Sequence, residues 1–334
     1  MTLGCKGSLR LTVESNLQQR FSTAHLKSMY GVTKPVSVKG TSDSFNDMAI
    51  DHTKGTSISG VQRKMFMTLE EGILVPSNQG EYIVKPTPKD FPQLSENEHA
   101  IMKIAERLSF KVAKCSIAPF EDGELVYVTK RFDLTGNKGI KLFVEDGASI
   151  CDVHPMNKGS DALSYETCIK TMVNACGGAI AHAAYAIRFV LFSYIVGNND
   201  LHLKNFSLQR KPTSQSHMMD GFTPLYDVLS VAPYSTYDKI FLSLSLLESE
   251  TDAQFSSSYE AYGYYTKHDF ILLFASFGVK ATIAEKIILD FVEKIRKIAP
   301  DVLILSSLSE GMQKLILDRI NQRCSYIEKK IIEP

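Results

Sequence analysis

The sequence predicts an α+β fold in two lobes, with a β-rich N-terminal lobe over residues 1–133 and a mainly helical C-terminal lobe over residues 134–334. Three observations predict this fold. Short apolar segments separated by turn residues fill residues 64–132. Segments with apolar residues at helical spacing dominate after residue 133. No Pro/Gly/Ser-rich linker divides the two parts, so the lobes are expected to share an interface.

Composition narrows the class of protein. Apolar residues make up 44% and charged residues 22% of the 334 residues, which is ordinary globular composition. The 37 basic and 37 acidic residues cancel, which argues against DNA or membrane binding as the main activity. The six cysteines show no zinc-ligand spacing and are expected to be reduced. The most apolar long segment, residues 183–197, is short for a membrane span and contains Arg188, so a cytoplasmic protein is expected.

The predicted N-terminal lobe contains five strands and one prominent helix, whereas residues 1–50 show little pattern. The strands are MFMTL, ILVP, YIVKP, VAKCSIAPF and ELVYVTKRF. Glu121-Asp122-Gly123 predicts a hairpin turn between the last two. Ser95 and Glu98 have capping-box spacing and predict the start of the helix. The residues expected on its buried face are Ile101, Ile104, Ala105 and Leu108.

The predicted C-terminal lobe contains five helices, at residues 165–175, 180–196, 268–277, 282–298 and 308–330. Ser307 and Glu310 predict a second capping box before the last helix. The apolar residues expected to pack in that helix are Leu315, Ile316 and Ile320, and those expected in the core of the 180–196 helix are Phe189, Phe192 and Ile195. A polar loop, GNNDLHLKN, follows the second helix, and a strand-like TPLYD follows that loop.

The loop carries the first chemical signal. Asp200 and Asn205 stand five residues apart, the D-x-x-x-x-N spacing of a kinase catalytic loop. In such a loop the Asp reaches the acceptor hydroxyl, and the Asn binds a magnesium ion on the phosphates. Lys204 is a candidate to neutralise the transferring phosphoryl group. His202 either braces the loop or takes part in the chemistry. This spacing alone is a weak signal.

The other parts of a kinase site follow in the expected order. Asp227, in PLYD, stands where a second magnesium-binding carboxylate belongs. Lys85 ends the strand YIVK, and Glu98 follows 13 residues later as the helix partner of a phosphate-binding lysine. The backbone of Lys130 to Phe132, in VTKRFD, is the predicted hinge that binds adenine. Together these elements predict ATP- and magnesium-dependent phosphoryl transfer on a protein-kinase-like fold.

The motifs SISGVQRK, EYIVKP, ENE, KRFD, GNNDLHLKN and PLYD together resemble the HipA family of bacterial serine/threonine protein kinases, toxins of type II toxin–antitoxin systems. The resemblance runs from about residue 54 to the C-terminus. HipA carries roughly another hundred residues before this loop, so the chain resembles the shortened HipT kinases of three-component modules. In those modules a small protein, HipS, and a helix-turn-helix repressor, HipB, accompany the kinase.

The resemblance implies roles for single residues. It makes Asp200 the catalytic base, Asn205 and Asp227 the magnesium ligands, and Lys85 the contact to the ATP phosphates. Ser57 and Ser59 fall on autophosphorylation positions of the family. The implied substrate is an aminoacyl-tRNA synthetase, with the tryptophanyl enzyme favoured. The implied partners are a HipS-like protein and a HipB-like antitoxin, with DNA contacted only through the repressor.

The loop KGTSISGVQRK, residues 54–64, is predicted to cover the nucleotide. It is not a Walker A motif, because Val61 stands where the lysine is required. Gly60 lets backbone N–H groups near Ser59 approach a phosphate. A phosphate added to Ser57 or Ser59 brings nearly two negative charges and is expected to oppose ATP binding. The loop is therefore interpreted as both nucleotide-binding and self-limiting.

The sequence alone leaves open other functions for the chain and other roles for several residues. A small-molecule kinase of the aminoglycoside-phosphotransferase type shares the loop spacing and the distal Asp. A catalytically silent subunit of a repressor complex is a third possibility. Glu98 could be only a capping residue, and Arg131 with Asp133 could be only a surface ion pair. The chain also departs from the family pattern after Glu145-Asp146, where Gly-Ala-Ser-Ile and later Lys158-Gly159 stand, a region expected to contact substrate or partner.

Overall fold

The computed structural model describes residues 2–48, 62–136, 140–159 and 162–330 of the chain. They form a mixed α/β protein with two compact units. The first unit comprises Met1–Leu134 with Ile298–Lys314, and the second comprises Thr135–Lys297 with Leu315–Pro334. The predicted assignment of two functional lobes to residues 1–133 and 134–334 stays a prediction.

The first unit is built around a six-stranded sheet. Its elements are β1 (Thr2–Cys5), β2 (Arg10–Val13), β3 (Leu17–Gln18), β4 (Phe21–Ser22), α1 (Thr23–Tyr30), β5 (Ser37–Val38), α2 (Ser42–Met48), β6 (Met65–Glu70), β7 (Ile73–Pro76), β8 (Tyr82–Lys85), α3 (Leu94–Arg107), β9 (Cys115–Pro119) and β10 (Leu125–Lys130). The sheet has the order β5-β7-β6-β8-β10-β9, and only the β5–β7 pair is parallel. Two short antiparallel pairs, β1–β2 and β3–β4, come from the N-terminal region that the sequence left unassigned.

The five predicted strands of this unit are confirmed as β6 to β10. In β6 and β7 one residue each, Met67 and Leu74, is buried. By contrast, β9 and β10 are buried along almost their whole length, as expected of strands covered on both faces. The predicted hairpin turn is also confirmed. Gly123 has φ of 86° at the turn between β9 and β10, a backbone conformation that glycine adopts without a steric penalty.

Helix α3 is confirmed, but its predicted capping box is wrong. The helix begins at Leu94, so Ser95 lies inside its first turn, and the cap position is Gln93. Ser95 Oγ donates to the Lys85 carbonyl at 3.0 Å instead of capping the helix. Glu98 is engaged by the Lys85 ammonium at 2.9 Å. The carboxylate that could have closed the box is therefore committed to a tertiary ion pair. The predicted buried face is correct, since all four of its apolar residues are buried.

The second unit combines a small sheet with helices. Its elements, including those that pass a unit boundary, are β11 (Phe143–Asp146), α4 (Gly147–Ile150), α5 (Tyr165–Ala175), α6 (Ile180–Val196), β12 (Ser207–Arg210), β13 (Gly221–Phe222), α7 (Ser257–Tyr262), α8 (Lys267–Ala275), α9 (Ala281–Leu305) and α10 (Glu310–Ile327). The three strands form an antiparallel sheet in the order β11-β12-β13. The five predicted helices are confirmed as α5, α6, α8, α9 and α10.

Three details of the C-terminal prediction are corrected. TPLYD is not a strand, because pairing with β12 ends at Phe222. Helix α10 begins at Glu310, and Ser309 Oγ, not Ser307, accepts a hydrogen bond from the Met312 N–H at 3.5 Å. Leu315 is 49% exposed, although its neighbours Ile316 and Ile320 are fully buried as predicted.

Other bulk predictions have clear outcomes. The core prediction for α6 is confirmed, since Phe189, Phe192 and Ile195 are all buried. All six cysteines are free thiols, as predicted. Within the described part of the chain, none of the helices combines the length and the apolar character that crossing a membrane requires.

Candidate active site

The first unit contains the predicted lysine–glutamate pair. Lys85 lies at the end of β8 in the middle of the sheet, and Glu98 lies on the second turn of α3. Lys85 Nζ is 2.9 Å from Glu98 Oε1, and the two side chains are only 10% and 0% exposed. A buried ion pair of this kind persists only when each charge has its partner, so the lysine is held in one orientation. Lys85 is therefore not a solvated strand end, and Glu98 is not only a capping residue.

A second contact involves the C-terminal end of the segment predicted to cover the nucleotide. Gln62 is buried, and its Nε2 donates to the Pro86 carbonyl at 3.0 Å. Pro86 follows Lys85 directly, so the first described residue of the 54–64 segment is tied to the strand that carries the lysine. Gln62 belongs to the motif SISGVQRK, but the sequence predicted no role for it. Ser57, Ser59 and Gly60 lie outside the described residues, and their predicted roles stay predictions.

The predicted hinge is held to the sheet by both backbone and side chains. The Lys130 N–H donates to the Lys114 carbonyl at 2.8 Å, and the Arg131 N–H donates to the Glu81 carbonyl at 2.9 Å. Arg131 forms an ion pair with Asp133 at 2.6 Å, and the arginine side chain is only 10% exposed. The pair is therefore partly buried rather than a surface pair. Adenine recognition by Lys130 to Phe132 stays a prediction, and in this structure two of these N–H groups already have acceptors.

In the second unit, the predicted catalytic loop follows the buried helix α6. Gly197 ends the helix with φ of 73°, a left-handed conformation that suits glycine, and turns the chain into the loop. The Leu201 carbonyl accepts a hydrogen bond from the Tyr165 hydroxyl at 2.6 Å. Asn199 Nδ2 donates to the Tyr237 carbonyl at 2.6 Å. Because its backbone is bonded from several elements, the loop presents its side chains in a defined arrangement.

Asn205 is oriented by the same loop. Its Nδ2 donates to the Asp200 carbonyl at 3.2 Å, which leaves the amide oxygen as the acceptor of the side chain. Asp227 has φ of 59°, a left-handed conformation that aspartate tolerates better than most residues. The preceding residue, Tyr226, donates from its hydroxyl to the Lys204 carbonyl at 2.9 Å and also lies 2.6 Å from Ser207 Oγ. These contacts tie the segment of Asp227 to the loop.

The donor set of Asn205 and Asp227 fits a magnesium ion. Mg²⁺ is usually held by one or two protein oxygen ligands, with waters and substrate phosphates completing its shell. No cluster of three or more His, Cys, Asp or Glu that could form an all-protein metal cage occurs among the described residues. A site of one carboxylate and one amide oxygen agrees with a metal that arrives together with a nucleotide.

His202 is buried in the loop, and the structure reveals a partner that the sequence did not predict. Lys158 Nζ lies 2.7 Å from His202 Nε2. The ring also lies 3.9 Å from Asp200 Oδ1. Burial, and after it the positive charge of Lys158, lowers the pKa of His202 to about 4. At neutral pH the ring is therefore uncharged, and its Nε2 accepts a hydrogen bond from the lysine.

The stretch that departs from the family pattern packs under this loop. Gly147 N–H donates to the Phe206 carbonyl at 2.7 Å, and a Cβ at Gly147 would approach the Leu203 carbonyl to 2.9 Å. The Lys158 carbonyl accepts from the Leu203 N–H at 3.0 Å. Glycine is therefore required at Gly147 by close backbone approach. This stretch therefore packs against the predicted catalytic loop, a role not foreseen for it. Lys204, by contrast, has an exposed side chain.

Comparisons with known proteins identify one family and several relatives. A family model described as the HipA-like C-terminal domain matches residues 56–299. A Haemophilus influenzae protein named as a proposed kinase is 31% identical over 258 residues, which are 73% of this chain and 74% of that protein. The chain spans about half the length of two further curated relatives from Sinorhizobium fredii, 46% of one and 43% of the other.

Solved structures share the fold. The chain is similar to HipA of Shewanella oneidensis, which was solved with HipB and its operator DNA, with a TM-score of 0.63, 18% identity, and coverage of 82% of this chain and 66% of that chain. It is also similar to the Helicobacter pylori proinflammatory kinase CtkA, with a TM-score of 0.51, 15% identity, and coverage of 84% of this chain and 95% of that chain. At these identities the likeness shows the fold alone.

Proposed function

Because the chain belongs to the family of the HipA-like C-terminal domain, we propose that it is an ATP-dependent serine/threonine protein kinase and the toxin of a type II toxin–antitoxin system. The observation that carries the proposal is the loop of the second unit. In this loop the Asp200 carboxylate lies 3.9 Å from the buried, neutral His202, which contacts Lys158, and Asn205 Nδ2 donates to the Asp200 carbonyl. The buried Lys85–Glu98 pair of the first unit supports it, because such a pair is the phosphate contact of protein kinases.

The roles follow from the chemistry of phosphoryl transfer. Asp200 accepts the proton of the acceptor hydroxyl as that oxygen bonds to the γ-phosphorus and the bond to the ADP oxygen breaks. Asn205 and Asp227 hold the magnesium ion, which when bound neutralises charge on the phosphates. Lys85, held by Glu98, contacts the phosphates. Lys158 supplies a positive charge beside Asp200 through its contact with His202, and Lys204 is a second candidate for this task.

The finer assignments belong to the same proposal. The chain acts as a HipT-like kinase with a HipS-like protein and a HipB-like antitoxin, and it reaches DNA only through the latter. In the cytoplasm it modifies a serine of an aminoacyl-tRNA synthetase, with the tryptophanyl enzyme the first to test, and thereby inhibits translation. Autophosphorylation of Ser57, Ser59 or both limits its activity. The neighbouring HipA structure contains HipB and operator DNA, which supports the choice of antitoxin.

Phosphate transfer from labelled ATP tests this function. We expect Asp200→Asn and Asp227→Asn each to lower transfer to protein by at least about 10³-fold and to abolish growth inhibition, because each removes a group that acts on the reacting atoms. Asp318→Asn, an exposed carboxylate on α10, is the matched control and is expected to retain activity.

Phosphoproteomics after induction of wild type and Asp200→Asn identifies the substrate. Growth inhibition and transfer retained in both active-site variants would contradict the proposal. Label found only on soluble metabolites would favour the small-molecule phosphotransferase. Absence of phosphate on Ser57 and Ser59, with full activity of the doubly substituted Ser57→Ala and Ser59→Ala protein, would remove the self-limiting switch but not the kinase.

A further inference from the structure

A cavity of about 470 Å³ lies in the first unit and has no part in the roles assigned above. Its walls come from β2, from α1, from the C-terminal part of α3 and from residues 110–115. The volume is in the range of sites that bind small organic molecules. The cavity is partly open, so a ligand can enter from solvent.

The ionisable side chains that line the cavity are mostly basic. Arg10, Lys103 and Lys114 face a single acid, Glu106, which leaves two positive charges in excess. His25 also lines the cavity, but burial, and after it the charge of Lys103, lowers its pKa to about 3, so this ring adds no charge at neutral pH. The cavity therefore favours an anion with two negative charges.

Lys103 is a buried cation on the cavity wall with N–H donors that lack acceptors among the described residues. Its side chain is only 7% exposed, and among the described residues Nζ makes one hydrogen bond, to Glu106 Oε2 at 2.9 Å. An ammonium carries three N–H donors, and buried donors without acceptors are unfavourable. Two donors of a buried lysine on the cavity wall are thus open to an acceptor within the cavity.

Two further cations stand in more exposed positions on the lining. Lys114 Nζ donates to the Ser28 carbonyl at 3.0 Å, which holds it across the cavity wall to α1. Arg10 is exposed on β2, and its guanidinium forms no hydrogen bond or ion pair with the described residues. Both side chains can therefore bind an incoming anion without giving up a carboxylate partner.

The remaining lining combines serine and threonine side chains with apolar ones. Leu11, Met29, Phe110 and Val112 contribute to it. We propose that this cavity is a binding site for a phosphate monoester that carries an apolar or aromatic group, with the phosphate on Lys103, Lys114 and Arg10. A dianion matches the two excess charges, and the organic group covers the apolar side chains.

The cavity and the proposed phosphate-binding pair share helix α3, which carries both Lys103 and Glu98. Lys103 lies five residues after Glu98 on α3, about 7.5 Å along the same rigid helix. A ligand that draws Lys103 into the cavity acts on the helix that carries Glu98 and thereby on Lys85. This regulatory consequence rests on the proposed kinase function, whereas the binding site does not.

Calorimetric titration with phenyl phosphate tests the site directly, at saturating non-hydrolysable ATP analogue and magnesium to occupy the nucleotide site. We expect binding to the wild-type chain, at least tenfold weaker binding to Arg10→Ala with Lys114→Ala, and binding within twofold of wild type for Lys111→Ala, an exposed basic residue of the same segment that does not line the cavity. Phenol, which lacks the phosphate, is expected to bind at least tenfold more weakly than phenyl phosphate.

A further variant and a background control complete the experiment. Lys103→Met is expected to abolish binding; should it fail to fold, the double variant of the two exposed residues carries the test. The same titration on Asp200→Asn is expected to equal wild type, which separates this site from failure of the kinase proposal. No binding to wild type, or equal binding by wild type and the Arg10/Lys114 double variant, overturns the proposal.

Discussion

Each unit has a lysine at its candidate site, and the two lysines contact different groups; Lys85 is buried and Lys158 is half-buried. In the first unit Lys85 is matched by a carboxylate, Glu98, at 2.9 Å. In the second unit Lys158 contacts a neutral ring, His202, at 2.7 Å. The first arrangement balances charge within the unit. In the second, the group that the ammonium contacts is an uncharged ring.

The ion pair of Lys85 and the hydrogen bond of Lys158 constrain a lysine side chain in different ways. A buried ion pair fixes a side chain firmly, because removing one partner leaves an uncompensated charge away from water. A hydrogen bond to a neutral ring fixes the direction of the ammonium group, and the ring brings no opposing charge of its own. We therefore expect substitutions in the first unit to act mainly on stability and substitutions in the second to act mainly on turnover.

The largest effect is expected at the buried ion pair. Lys85→Met leaves Glu98 buried without its cation, and we expect the free energy of unfolding to fall by about 3–5 kcal/mol, in addition to a loss of phosphate transfer. Lys89→Met is the matched control, since Lys89 and Asp43 form a pair with side chains 85% and 82% exposed and contribute within about 1 kcal/mol. Denaturant unfolding measures both. Equal stability of the two variants would remove the contrast between the units.

The next effect is expected at Lys158. Lys158→Ala is expected to lower kcat by about 100-fold, or about 2.7 kcal/mol, with little change in stability, because it removes a positive charge beside the reacting groups. Lys204 has an exposed side chain in the loop that contains Asp200. Lys204→Ala is expected to change kcat by less than about threefold. Partial recovery in Lys158→Arg would separate a charge effect from loss of packing. A larger loss in Lys204→Ala than in Lys158→Ala would assign phosphoryl neutralisation to Lys204, as the sequence first indicated.

Acid is expected to destabilise the first unit by an amount that grows as the pH falls. Burial, with Lys103 as the second cause, lowers the pKa of His25 to about 3, whereas an unfolded histidine has a pKa of about 6.5. The unfolded chain therefore binds a proton that the folded chain does not. The stability that this histidine contributes is present above pH 6.5 and is lost by up to about 1.4 kcal/mol per pH unit as pH falls towards 3.

Unfolding measured from pH 7 to pH 4 tests this dependence. His25→Gln is expected to reduce the pH slope by about that amount, and His217→Gln, at an exposed loop position, is expected to keep the wild-type slope. An unchanged slope in His25→Gln would mean that the acid sensitivity has another source.

The smallest effect is expected at Tyr226, which joins the loop to the segment of Asp227. Tyr226→Phe removes the hydrogen bonds of its hydroxyl to Lys204 and Ser207, at a cost of about 1 kcal/mol. We expect the magnesium concentration for half-maximal activity to rise about fivefold with little change in the KM for protein substrate. Ser207→Ala, which removes only one of these bonds, is expected to shift it less. Identical magnesium curves for Tyr226→Phe and wild type would show that this link does not position Asp227.

The sequence predicted most of the secondary structure because its signals are local. The strands β6 to β10 and the helices α5 and α6 follow from apolar periodicity and turn residues within each segment. The capping box at Ser95 failed because Glu98 meets the same local requirement as a cap yet is bound by Lys85, a residue of another element. TPLYD failed because a short apolar segment becomes a strand only where a partner strand continues.

Some features of the candidate site are likewise visible in the local sequence, and others depend on the fold. The spacing of Asp200 and Asn205 lies within one loop, so it could be found without the fold. Lys158 could not be found, because it stands 44 residues from His202 and shares no local pattern with it. The need for Gly147 was equally hidden, since it depends on the Leu203 carbonyl coming close in space.

By itself the sequence determined the two-part α+β composition, the order of Lys85, Glu98, Asp200, Asn205 and Asp227, and the family to which these motifs belong. Only the tertiary structure decided that Glu98 binds Lys85 rather than caps α3, that His202 is neutral, and that Lys158 reaches the catalytic loop. The physical reason is that residue spacing encodes local geometry, whereas ion pairs, burial and pKa values arise between groups that the fold brings together from distant positions.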